Sequence, residues 1–303
     1  MDRRKFVKQT LGASIAFGAY MKAGNMFGAF LDTTLPYDLV AVKGGEPDAM
    51  FDQGIKALGG MKAFVKKGDK VVIKPNIGWD VSPERAGDTN PKLVARIIEH
   101  CFEAGAKQVS VVDHTCDQWQ RCYSNSGIQR AASDAGAKVV PGASASYYHD
   151  VKIPNGKSLK STQEHEVILD ADVFINVPIL KNHSGPKLTM AMKNLMGNVW
   201  DRQYWHRTDL DQCIADFATY RKPTLNILDA YYVMKQNGPR GISVGDIIEM
   251  RSQVLSTDIV AIDVAGARLF GIDPFAVRYL KAAAEMKIGR ADIENLRIKR
   301  ITI

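Results

Sequence analysis

The chain has 303 residues, 46% of them hydrophobic and 24% charged, which is ordinary globular composition with apolar material for a sizeable core. Its net charge is +7, but residues 1–30 hold Arg3, Arg4, Lys5, Lys8 and Lys22 against Asp2, so four of those charges belong to that segment. The body is only mildly basic and carries no nucleic-acid footprint, and the absence of a Walker A loop, a G-x-G-x-x-G or a G-x-S-x-G removes support for nucleotide-dependent and serine-hydrolase chemistry.

Residues 1–30 read as an export signal. Asp2-Arg3-Arg4-Lys5-Phe6-Val7-Lys8 precedes a Gly/Ala-rich apolar stretch from Leu11 to Met21. That stretch is too short for a stable membrane span, which needs about 20 apolar residues. The paired arginines, Phe6 and Lys8 resemble the twin-arginine (Tat) signal, with Asp2 and Val7 as departures from it. The resemblance implies a transient encounter with the Tat translocase and a periplasmic location.

The rest, 31–303, reads as a single α/β domain. Tyr37–Val42 is a strand, and Asp48–Leu58 is a helix ended by Gly59-Gly60. Lys70–Ile73 is a strand closing on Lys74-Pro75-Asn76. Pro91–Ala104 follows as a helix with Pro in its first turn and Gly105 at its end. Gln108–Asp113, Gly127–Ala135 and Lys138–Val140 continue as strand, helix and strand. This alternation predicts a mostly parallel sheet with right-handed crossovers and helices on both faces. Residues 143–166, broken by Pro154-Asn155-Gly156, read as a small β excursion.

The central stretch is Val173–Gly197. An apolar strand, Val173–Val177, ends at Pro178 and is followed by Lys181, Asn182, His183, Ser184 and the turn pair Gly185-Pro186. Leu188, Met192, Leu195 and Met196 at near-helical spacing predict a helix stopped by Gly197. In open α/β sheets, ligands bind at the carboxyl ends of strands, and lysines there beside a helix N-terminus suit an anion. Asn198–Asp211, with Trp200, Tyr204, Trp205, His206 and Arg207, has no clean period and reads as a loop over the site. Leu210–Tyr220 is a helix, Thr224–Asp229 and Ile247–Ser256 are strands, and Asp258–Phe270 and Phe275–Met286 are helices. Leu296–Ile303 closes the chain as a strand.

Several of these runs together resemble the family called "domain of unknown function 362": Ile73–Asn76, Ala171–His183, Thr189 with Lys193–Gly197, Asn237-Gly238-Pro239, and Ser256–Asp258 with Asp263. The resemblance runs from about residue 38 to the C-terminus. Many family members carry a ferredoxin-type iron–sulfur segment; this chain has no clustered C-x-x-C motif for one. A second likeness, to the nickel-pincer lactate racemases, is confined to the central lysine/histidine/glycine pattern.

Groups at strand ends are the site candidates. Lys181, His183, Lys193 and His206 are the expected catalytic residues, because a lysine among cations has a lowered pKa and a histidine titrates near neutrality. Lys74, Asn76, Lys187, Thr189, Asn194, Asp229 and Asn237 are expected to bind substrate. Asp113, His114 and Cys116 are candidate metal ligands, although their spacing matches no standard centre, and the cofactor is left unspecified. Cys116 and Cys122 could pair in an oxidising compartment. Asp263 is read as a lysine partner and His165 as a surface residue. Two functions fit: an exported enzyme acting on a small anionic substrate or cofactor, or a non-catalytic periplasmic protein that binds a ligand or carries a redox cofactor.

Overall fold

A computed structural model describes residues 35–303, so the proposed Tat leader lies outside the described residues. The main sheet runs β12–β1–β11–β10–β7–β2–β3–β4. In chain order its strands are β1 (Leu39–Lys43), β2 (Lys70–Pro75), β3 (Gln108–Asp113), β4 (Lys138–Pro141), β7 (Val173–Val177), β10 (Leu225–Met234), β11 (Ile247–Ser256) and β12 (Ile298–Thr302). The block β10–β7–β2–β3–β4 is parallel throughout, and β11 pairs antiparallel with both β1 and β10. β5 (Tyr148–Lys152) and β6 (Ser161–His165) form a separate antiparallel pair, the excursion expected between 143 and 166.

Side-chain alternation along these strands builds two cores, one on each face. Val71 and Ile73 join one apolar cluster, with residues of helices Pro47–Ala57 and Pro91–Ala104. Val72 joins the other, with residues of helices Leu210–Tyr220, Ile259–Phe270 and Arg278–Glu285. Successive residues of a strand point to opposite faces, so a run of consecutive apolar residues marks a strand covered on both sides. The helix ends follow local chemistry. Asn90 caps Pro91–Ala104 by accepting from Lys92 N at 3.0 Å, and Gly105 closes it at φ 106°. Asp258 caps Ile259–Phe270 through Val260 N and Ala261 N.

Two segments depart from the sequence reading. Residues 179–189 form a β-hairpin, β8 (Ile179–His183) and β9 (Lys187–Thr189), with Lys181 opposite Thr189. The expected helix shrinks to Ala191–Asn194 and a following 3₁₀ turn, Leu195–Asn198. The reason is tertiary: β10 extends well past Asp229, and its far half pairs with β8, holding 179–183 extended despite the helical spacing downstream. Residues 202–208, read as loop, form a helix whose Asp201 cap accepts from Tyr204 N at 3.1 Å.

Candidate functional site

The site lies at the carboxyl ends of β2 and β3, under the β8–β9 hairpin and beside the short helix Ala191–Asn194. Parallel pairing of β2 with β7 places Lys74 in register with Asn176. A run of buried amides then crosses the strand ends. Asn226 Oδ1 accepts from Asn176 Nδ2 at 2.9 Å, Asn176 Oδ1 accepts from Asn194 Nδ2 at 2.9 Å, and Asn194 Oδ1 accepts from Lys74 Nζ at 2.8 Å and Asn76 Nδ2 at 3.0 Å. Asn76 Oδ1 in turn accepts from Lys181 Nζ at 2.9 Å, and Lys181 also donates to the Gly87 carbonyl. In a water-poor interior each of these groups needs its partner, so the chain of bonds fixes the geometry.

Lys74 is almost fully buried and forms an ion pair with Asp113, Nζ to Oδ1 2.9 Å. Burial pushes its pKa down, and Asp113 opposes that shift. Asp113 also accepts from Ile77 N at 2.6 Å. Lys181 and Asp88 are a buried, mutually interacting pair; burial lowers the lysine and raises the acid. Lys193 differs from both lysines. It has no hydrogen bond and no ion pair among the described residues, and burial followed by the charges of Arg202, Lys181 and Lys74 brings its pKa down to about 8. Arg202 reaches in from the helix Arg202–Thr208, donating to the carbonyls of His114 (2.8 Å) and Thr115 (2.7 Å) and lying 3.5 Å from Cys116 Sγ.

Two histidines line the cleft as neutral rings of opposite polarity. His114 Nδ1 bonds the Val199 carbonyl at 2.8 Å, which can only accept, so Nδ1 carries the proton and Nε2 is left with its lone pair. Burial and Arg202 hold His114 at about 4, and its ring stacks on Trp200. His183 Nδ1 accepts from Gly185 N at 3.1 Å, so its proton sits on Nε2; burial and then Lys193 and Lys181 push it down to about 2. The cleft is small, about 50 Å³, room for a few waters or one small anion at roughly 10–15 Å³ per water.

Of the expected residues, Lys74, Asn76, Lys181, His183, Thr189, Lys193 and Asn194 all line this cleft, together with Asp113, His114 and Cys116. Others do not. Lys187 is exposed on β9. Asp229 is buried and holds the loop and strand backbone, accepting from Asn90 N (2.8 Å) and Tyr231 N (3.0 Å), although burial lifts its pKa to about 6. Asn237 donates to Asp246 at 2.6 Å; its neighbour Gly238 meets the hairpin through Asn182 Oδ1 at 3.0 Å, and Pro239 reaches the cleft. His206 is exposed on its helix, although partial burial and then the charges of Lys193 and Arg202 lower its pKa. Asp113, His114 and Cys116 do not converge as metal ligands. Asp113 is committed to Lys74 and Ile77, His114 bonds Val199, and among the described residues no group of three or more His, Cys, Asp or Glu is placed to hold a metal. Cys116 is exposed and Cys122 buried, and both are free thiols. Asp263 pairs with no lysine among the described residues. It caps the short helix, accepting from Ala191 N (2.6 Å) and Met192 N (3.1 Å). His165 is fully buried, accepting from Val167 N.

Sequence reasoning missed Asp88 and Arg202. Asp88 sits in a loop bolted to the strand ends by Thr89, whose hydroxyl donates to the Val177 carbonyl at 2.7 Å and accepts from Asn76 N at 2.8 Å. The signal for Arg202 was the Asp201 cap, which turns the aromatic and cationic segment into a helix with one edge facing the cleft.

Comparison with known proteins supports the family reading. The family described as "Domain of unknown function (DUF362)" matches residues 71–268. The thylakoid-associated protein sll1697 of Synechocystis is 28% identical over 243 residues, which is 78% of this chain and 73% of that protein. Two solved structures are similar at a low level. The lactate racemase apoprotein of Thermoanaerobacterium thermosaccharolyticum matches at TM-score 0.44 and 12% identity, covering 70% of this chain and 53% of that one. A structural-genomics protein of Thermotoga maritima matches at TM-score 0.40 and 8% identity, covering 80% and 60%. The chain thus spans little more than half the length of these structural neighbours, and the likeness is too loose to carry an argument about chemistry. The family match covers well over half of the sequence and contains every cleft-lining residue from Lys74 to Pro239, and the chain belongs to the DUF362 family.

Proposed function

We propose that the cleft binds a small anion and acts on it by proton transfer, which would make the protein an enzyme on a small anionic substrate. The observation that carries this reading is the charge balance around Lys193. Lys74, Lys181, Lys193 and Arg202 crowd one small cleft against two carboxylates, Asp113 and Asp88, and Lys193 has no partner of its own. A half-buried ammonium without a counter-ion is costly. A bound carboxylate or phosphate would neutralise it and give it hydrogen bonds. The neutral rings of His114 and His183 offer that anion one hydrogen-bond acceptor and one donor, and Lys193, brought down to about 8, can exchange a proton near neutral pH. The leader motif extends the proposal to a protein exported through the Tat route and acting in the periplasm.

A thermal-shift titration with acetate, oxalate and inorganic phosphate tests the anion site. A ligand at 100 times its dissociation constant adds about 2.7 kcal/mol to stability, and Lys193→Gln should remove that gain. A gain that survives Lys193→Gln places the anion elsewhere and ends this reading.

A further inference from the structure

Among the described residues three lysines reach the cleft, and only one of these is free to react. Lys74 Nζ is held by Asp113 and Asn194, and Lys181 Nζ by Asn76 and the Gly87 carbonyl. Lys193 is half-buried, lines the cleft and has no hydrogen bond or ion pair among the described residues. The four-residue helix that carries it is pinned at its start by Asp263 and at its end by Asn194, which is bonded to Lys74, Asn76 and Asn176. Its backbone is therefore fixed while its amine is left unsatisfied.

We propose that Lys193 is a nucleophilic amine that condenses with the carbonyl carbon of a small oxo-acid. This rests on the anion site proposed above and names its substrate class. The carboxylate of such an acid would answer the cationic excess from Lys181 and Arg202, and a cleft of about 50 Å³ limits the carbon skeleton to a few atoms. In the step, the lone pair of the neutral Lys193 amine forms a bond to the carbonyl carbon, and the C=O π electrons move onto oxygen. One nitrogen proton is transferred to that oxygen, giving a carbinolamine. Departure of the oxygen as water, with a second nitrogen proton, leaves a C=N bond. Amine and carbonyl become imine and water, with no oxidant or reductant. His114 and His183 also line the cleft, where the Nε2 lone pair of one and the Nε2–H of the other can hydrogen-bond the hydroxyl and carbonyl oxygens of the reacting acid. The lowered pKa of Lys193 keeps part of the amine neutral near pH 7.

Reductive trapping tests it. The protein is incubated with glyoxylate or pyruvate and sodium cyanoborohydride, and the adduct is located by intact mass and peptide mapping. The expected result is one adduct, the oxo-acid less one water plus two hydrogens, on Lys193. It should form in Lys187→Gln, which alters an exposed hairpin lysine, and be lost in Lys193→Arg, whose folding is checked by its thermal transition. Labelling scattered over surface lysines, or an unchanged adduct in Lys193→Arg, overturns the proposal. So does the absence of an adduct under conditions where acetate or oxalate still raises the thermal midpoint; in that case the anion site stands and the nucleophile falls. If neither anions nor oxo-acids have any effect, both readings fall.

Discussion

Lys74 Nζ and Asp113 Oδ1 lie 2.9 Å apart at the carboxyl ends of adjacent parallel strands, with both side chains all but closed to solvent. Neither charge has access to bulk water, so each depends on the other and on Asn194 and the Ile77 amide for its remaining bonds. This pair is the fixed floor of the cleft. Lys193, without such a partner, is its reactive element.

Removing one member of a buried pair leaves the other uncompensated. Asp113→Ala should destabilise the protein by about 3–5 kcal/mol, seen as a fall in the urea midpoint with little change in slope. A loss under about 1 kcal/mol would mean that water reaches Lys74 and that the floor is open.

Gly197 packs on the same pair. A Cβ built there would stand 1.8 Å from Asp113 Oδ1 and 2.6 Å from Lys74 Cε. Gly197→Ala should therefore cost about 1–3 kcal/mol through forced displacement and weaken anion binding together with stability. Unchanged binding in a destabilised variant would separate the pair from the site.

Lys193 presents the opposite case. Burial lowers its pKa, so its charge opposes folding. Lys193→Met should raise stability by roughly 1–3 kcal/mol while abolishing the stabilisation given by acetate or oxalate. A variant less stable than the parent would show that Lys193 has a structural partner.

The pH dependence follows from the same shift. In the unfolded chain Lys193 keeps its proton up to about 10.5; in the folded protein it loses it near 8. Between those values the unfolded state binds more protons, so this residue makes the unliganded protein more stable as pH rises from about 8 towards 10.5. Anion binding runs the other way, strongest below about 8 and weakening above it as the ammonium is lost. Titrations with oxalate at a series of pH values from 6 to 10 check this; affinity that stays flat through 8 and 9 would remove Lys193 from the binding charge.

Asp263 positions the helix that carries Lys193. Asp263→Ala removes the acceptor for two buried amides, Ala191 N and Met192 N, and should cost about 1–2 kcal/mol or more. Because Asn194 rides on the same turn, oxalate affinity should fall as well. If affinity holds while stability drops, the Asn194 bonds alone fix Lys193.

Much of the architecture follows from local pattern. Consecutive apolar residues in Lys70–Pro75 and Val173–Val177 announced strands covered on both faces. Pro91 in a first turn with Gly105 at the end, and Gly59-Gly60 after Leu58, marked helix ends, because such stops act within a few residues. Lys74, Asn76, Lys181, His183, Lys193 and Asn194 were legible as site candidates because polar groups stood at the ends of apolar strands.

What local pattern did not decide was pairing over long separations. The hairpin at 179–189 took the start of the expected helix, Leu188 and Thr189, into a strand because β10 runs on and offers its edge to β8, 50 residues away in sequence at the Asp229–Ile179 pair. Asp229 and Asp263 are chemically ordinary aspartates in the sequence. Only the fold shows that each is spent on two backbone amides, while Asp88, without a motif, lies near enough to Lys181 for the two charges to interact. The sequence by itself determined which residues were available at the strand ends. The tertiary structure decided which of them were already satisfied, because burial makes every unpaired charge costly and so distinguishes the two partnered lysines, Lys74 and Lys181, from Lys193.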